Sequence, residues 1–110
     1  MIDWTRVEEL RDEIGPEDFA EVAELFLMEV EDTLSRLKHA ENDSQTLQEL
    51  MHFLKGSALN LGFSQLAETC STAESAAAKG CIQTDIPYLK SLYNQSRILF
   101  EAEYAQRFAA

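Results

Sequence analysis

The amino-acid sequence predicts an all-α protein: an antiparallel up-and-down four-helix bundle with a short additional N-terminal helix. Three observations predict it. Apolar residues recur at about 100° per residue over four long stretches, the spacing that gathers them on one face of a helix. Short breaks rich in Gly, Pro, Asn, Asp and Ser separate those stretches. No segment sustains the period-two alternation of a half-buried strand. Connections of only a few residues between long helices favour antiparallel neighbours.

Each element follows from its own signals. Asp3 is placed to cap a short helix from Trp4 to about Ile14, and Gly15-Pro16 ends it. Pro16 then opens a long helix to about Ala40, with Glu17 and Asp18 favourable in its first turn. Its core stripe is Phe19, Val22, Ala23, Phe26, Val30, Leu34 and Leu37. Leu25, Leu27 and Met28 fall off that stripe, and covering the short first helix is the first role expected of them, a docking surface the second. The polar break Glu41-Asn42-Asp43-Ser44 supplies the next cap, and a third helix runs from about Gln45 to Leu61, where Gly62 stops it. A fourth runs from about Ser64 to Lys79 and ends at Gly80, with Leu66, Cys70, Ala73 and Ala77 as its stripe. Thr84 or Asp85 caps the last helix, Pro87 sits in its first turn, and Ile86, Leu89, Tyr93, Ser96 and Phe100 share one side.

Totals narrow the function. The 110 residues suit one domain, 1–110, and leave no room for two. Apolar residues make up 45% of the chain, enough for a real core. A net charge of -11 argues against nucleic acid, which needs clustered Lys and Arg, and against an anionic membrane surface. No stretch approaches the roughly 20 apolar residues of a membrane span, and the N-terminus shows no leader. A cytoplasmic location is therefore expected, with Cys70 and Cys81 as reduced thiols. No His/Cys spacing suggests a metal site. Cys70 on its stripe reads as a small buried hydrophobe, Cys81 as a loop thiol, and His39 as a solvated residue near a helix C-terminus.

The third helix carries the chemical signal. Its stripe of Leu47, Leu50, Met51, Leu54, Ala58 and Leu61 covers roughly a third of the circumference. His52 lies more than about 100° from the stripe's centre, so it is expected to face solvent together with Gln45, Gln48, Glu49, Lys55, Gly56 and Leu59. Gly56 needs a reason, because glycine inside a helix costs about 1 kcal/mol relative to alanine. A tolerated flaw or a close helix crossing is one explanation. Clearance for something bulky approaching the imidazole is the other.

The string HFLKGSALNLG, His52 to Gly62, resembles the signature of histidine-containing phosphotransfer domains, which relay phosphoryl groups in phosphorelays. Phosphotransfer domains at the front of chemotaxis kinases share its His-x-x-Lys-Gly core, and the helix lengths extend the resemblance over essentially the whole chain. Met51 stands where many members have a small residue, and Leu59 where many have a polar or basic one. The resemblance implies that His52 is phosphorylated, that Lys55 compensates the phosphoryl charge and that Gly56 keeps the site open. It also implies receiver domains of response regulators as exchange partners, with a hybrid histidine kinase upstream. Gln45, Gln48, Glu49 and Leu59 are then candidates for the docked surface.

The chemistry stands beside the resemblance. A neutral imidazole offers a nucleophilic nitrogen near neutral pH, and phosphoryl transfer is mostly positioning and charge compensation. The chain has no Walker-type loop and no aspartate cluster for magnesium. The reading is thus a stoichiometric, monomeric carrier with no cofactor of its own, any magnesium belonging to the receiver. The alternative is a helical interaction module in which His52 is incidental. The joint placement of His52, Lys55 and Gly56 on one exposed face favours the carrier.

Overall fold

The computed structural model describes residues 2–40, 42–81 and 84–108. It is all-helical: α1 (Trp4–Ile14), α2 (Pro16–Arg36), α3 (Ser44–Asn60), α4 (Ser64–Ala78) and α5 (Ile86–Phe108). Among the described residues there is no strand, only a single antiparallel bridge between Ile2 and Phe63.

The starts and stops follow local chemistry. Asp3 caps α1 by accepting the Arg6 N–H, and Asp43 caps α3 by accepting those of Gln45 and Thr46. Asp85, not Thr84, provides the cap of α5, taking the Tyr88 N–H at 3.0 Å. The α-helical part of α2 is shorter than the sequence suggests. It stops at Arg36, and residues Leu37–His39 tighten into a 3-10 turn that carries the chain to Ala40. Glu41, part of the polar break, lies outside the described residues.

One core joins the helices. α3 lies along α4 and touches α2; α4 and α2 each touch α5; and α1 packs on α2 and α3. The predicted stripes are buried with few exceptions. Val22, Phe26, Leu50 and Ala73 are only partly buried, while Leu92 and Thr33 join the core unannounced. The larger correction concerns α2's second apolar set. Leu27 is a core residue, 2% exposed. It lines a groove with Phe100 and Tyr104 of α5, so the stripe of α2 is wider than the sequence implies. Leu25 and Met28 are exposed and do not cover α1.

What covers α1 is aromatic and comes from α5. The Trp4 ring stacks on Phe100 at 5.8 Å, and its N–H donates to Glu103. The Arg107 guanidinium lies over the Trp4 ring and that of Arg11 over Phe108. The other anchor of α1 is the α3–α4 turn. There Phe63 N–H reaches Ala58 O and Gly62 N–H reaches Leu59 O, the paired bonds that close a helix through a left-handed residue. Gly62 has φ +73, and its carbonyl accepts the Asp3 N–H at 2.6 Å.

Gly62 is thus constrained twice. A Cβ there would stand 2.6 Å from Asp3 O and 2.8 Å from Val7 Cγ2, on a backbone conformation that side chains disfavour. Gly62→Ala is expected to destabilise the fold by about 1–3 kcal/mol and to loosen α1 first. Denaturant unfolding together with amide exchange of α1 checks this; wild-type stability would show that the turn relaxes freely.

Candidate functional site

His52 stands where its helical angle puts it, on the solvent side of α3, with a side chain 73% exposed. The core stripe of α3 fixes that direction: Leu47, Met51, Leu54 and Ala58 are buried, and His52 points away from them. Gly56 follows one turn later and is exposed. Beyond its chain neighbours and the backbone of its own helix, no atom lies within 4 Å of where its Cβ would be. A close helix crossing would put atoms there, so that explanation of Gly56 is excluded.

The residue that organises the site comes from α4. Glu74 is 16% exposed and places one carboxylate oxygen on each of two partners. Oε2 lies 2.7 Å from His52 Nδ1, and Oε1 accepts from Lys55 Nζ at 2.5 Å. Lys55, 28% exposed, leans across the α3–α4 seam to make this bond and does not extend into solvent. The Lys55 hydrogen bond holds the Glu74 carboxyl below the usual glutamate range, burial opposes this, and the His52 hydrogen bond adds to it.

The tautomer of His52 follows. An ionised carboxylate can only accept, so Nδ1 carries the hydrogen that meets Glu74. In the neutral ring the lone pair then resides on Nε2. A proton-bearing Nδ1 fixed by a carboxylate is the device that orients histidine in nucleophilic and metal sites generally. Here it leaves the Nε2 lone pair of a neutral ring free of Glu74.

Sequence reasoning missed Glu74, grouping it with no functional residue. A signal existed. Glu74 comes one turn after Cys70 and three residues before Ala77, both buried. A carboxylate bordering a buried stripe is costly without a partner, so its position asks for a cation or donor on the facing helix. Cys70 is a buried residue of the core, as its stripe position predicts, and burial above all, then Glu74, pushes its thiol up to about 12.

The remaining candidates divide. Gln45 and Glu49 are exposed on the His52 side, and Gln48 is half-buried. Leu59 is 52% exposed, but it lines a groove of about 340 Å³ with Asp3, Arg6 and Gly62, so it belongs as much to the α1 end as to the histidine. Phe53, which the sequence reading did not single out, is 46% exposed beside His52. His39 is exposed at the end of the 3-10 turn, away from the core. Among the described residues, no group of three or more His, Cys, Asp or Glu side chains is placed to hold a metal ion, and no helix is long and apolar enough to cross a membrane.

Comparison with known proteins agrees with this geometry. The Hpt domain family matches residues 21–98, which takes in α3, α4 and the whole site. Among solved structures, the crystal structure of histidine-containing phosphotransfer protein B from Pseudomonas aeruginosa PAO1 is similar, with a TM-score of 0.82 and 28% identity. That likeness covers 97% of this chain and 96% of the other. No curated protein matches. With its helical fold, exposed histidine and family match over most of its length, the chain belongs to the Hpt domain family, the histidine phosphotransfer modules of phosphorelay signalling.

Proposed function

We propose that the chain carries a phosphoryl group on Nε2 of His52 and exchanges it with the aspartate of response-regulator receiver domains. The observation that supports this is the Glu74 hydrogen bond to Nδ1, which favours the tautomer with its lone pair on Nε2. In the forward step that lone pair attacks phosphorus, the P–O bond to the receiver aspartate breaks and the aspartate leaves as carboxylate. The ring then holds its Nδ1 proton and a positive charge, which Glu74 faces directly. Lys55 supplies the cation for the phosphoryl oxygens, at the expense of its bond to Glu74. The reverse sequence returns the group, so one site serves as acceptor and donor.

The same reading takes α2 to α5 as an antiparallel up-and-down four-helix bundle forming one phosphotransfer domain, 1–110. Short connections and the cycle of contacts from α2 through α5 support that arrangement. It makes the protein a stoichiometric carrier, with no ATP-binding or autokinase apparatus and no cofactor of its own. Magnesium belongs to the receiver, and a hybrid kinase is the upstream source. A monomer in the cytoplasm, apart from membranes and nucleic acid, fits the net charge of -11. A helical interaction module with an incidental His52 has no use for a carboxylate aimed at Nδ1.

His52→Gln is expected to abolish phosphoryl uptake while changing stability by no more than about 0.5 kcal/mol, since the side chain is largely solvated. Phosphate that is acid-labile and base-stable in this variant would move the site to His39. Lys55→Ala is expected to slow transfer without eliminating it, and to raise the Glu74 titration toward the ordinary glutamate range, because Lys55 is the main cause of its depression. Carboxyl carbon shifts followed against pH, alongside transfer rates, read both effects. An unmoved Glu74 with wild-type transfer would make Lys55 a bystander. Gly56→Gln is expected to gain about 0.5–1 kcal/mol from helix propensity and yet to block transfer by bulk. Raised stability with unimpaired transfer would remove the clearance role.

A further inference from the structure

We propose that the groove between α2 and α3 beside His52 selects its partner by charge, and that the receiver it accepts presents an apolar side chain flanked by lysine or arginine. This rests on His52 being the phosphoryl carrier. The groove encloses about 300 Å³ and is lined by Glu29, Asp32 and Arg36 of α2 and by Glu49, Leu50 and Phe53 of α3. Its apolar part is Phe53, 46% exposed, beside the half-buried Leu50. Its rim is acidic. Arg36, the one cation lining it, is committed to Asp32 at 3.0 Å. The carboxylates of Glu29 and Glu49 have no ion pair or hydrogen bond with any described residue.

Position ties this groove to the reacting atom. Around α3, Gly56 lies about 40° from His52, Glu49 about 60° and Phe53 about 100°, all toward α2, whereas Lys55 lies about 60° the other way. The Lys55 side is walled by α4 and Glu74. The open approach to Nε2 is therefore over Gly56, and a body that comes that way settles on Glu49 and Phe53. Leu25 and Met28, both exposed, sit one turn before Glu29 and Asp32 and extend the apolar surface along α2. Two unneutralised carboxylates around an exposed aromatic ring reject an acidic surface and attract a basic one. Such charges act mainly on the rate of encounter and on the choice of partner.

The test loads the full chain with phosphoramidate, a small donor that needs no docking, and then adds a panel of receiver domains. Glu29→Lys with Glu49→Lys is compared with wild type and with Glu8→Lys plus Asp12→Lys, an equal charge change on the far helix α1. For the receivers that discharge wild type, the groove variant is expected to react about tenfold more slowly at low salt, the gap narrowing to about threefold or less near 0.5 M salt. The α1 variant is expected to stay within about twofold of wild type. Equal discharge by the groove variant and wild type would overturn the proposal. So would equal slowing in the α1 variant, which would reduce the effect to net charge, or slowing indifferent to salt. Equal loading of His52 in all three proteins keeps such a failure separate from the site itself. A wild-type chain whose His52 phosphoramidate does not load would overturn the carrier reading and this inference with it.

Discussion

A single carboxylate shared across the α3–α4 seam sets the terms for the site. Glu74 faces two donors at once, and neither bond is available unless the two helices run close together. They do, and small side chains make up part of their buried faces: Ser57 and Ala58 on α3, Ala67, Cys70 and Ala77 on α4, beside the larger Leu47, Met51, Leu54 and Leu66. Interhelix distance depends on the residues at the contact, so the alanines of α4 are part of how a side chain as short as glutamate reaches the imidazole. The seam also partly desolvates Glu74, which strengthens both bonds relative to a fully exposed pair.

The rest of the fold holds that seam. The turn that reverses the chain between α3 and α4 is closed by Gly62 and sealed by α1, whose Asp3 N–H binds the Gly62 carbonyl. α1 is in turn held by aromatic stacking on the C-terminal half of α5. Elsewhere, Tyr93 donates to Glu31, and Arg97 binds Glu24 and Glu31, joining α5 to α2. These contacts keep histidine, lysine and glutamate in register from outside, so the site itself needs no rigid loop.

How much of this was legible in the sequence depends on the range of the interaction. The helix order, the cap at Asp3, a cap from the polar break before α3 and the exposure of His52 are short-range consequences of periodicity and capping chemistry, and they stand where the sequence puts them. The open space beside Gly56 follows from the same helical angle. Leu27 was misplaced because a wheel assumes one narrow stripe, while a helix that touches α1, α3 and α5 buries a broader arc. Glu74 lay beyond reach for a different reason. Its partner is 22 residues away from it in sequence, and nothing local distinguishes it from solvated carboxylates except its closeness to Cys70 and Ala77. Phe53 belongs to the same class: its exposure depends on how α2 leaves the groove open.

The electrostatics explain why such a site can both take and give. One cation, Lys55, and one anion, Glu74, flank the ring. In the proposed reaction, phosphorylation would add negative charge at Nε2 and positive charge to the ring. On that reading Lys55 turns to the phosphoryl oxygens and Glu74 keeps the charged ring, so each added charge would meet a counterion already in place. Neither partner has to be brought in from solvent, which keeps the reorganisation small. Compensation that is adequate but exposed to water does not trap the product, because a solvated ion pair contributes little. A buried, fully paired phosphoryl group would be stable and useless for relay. An open His52 with half-sheltered counterions beside it suits the proposed role, in which the group must be held and then passed on.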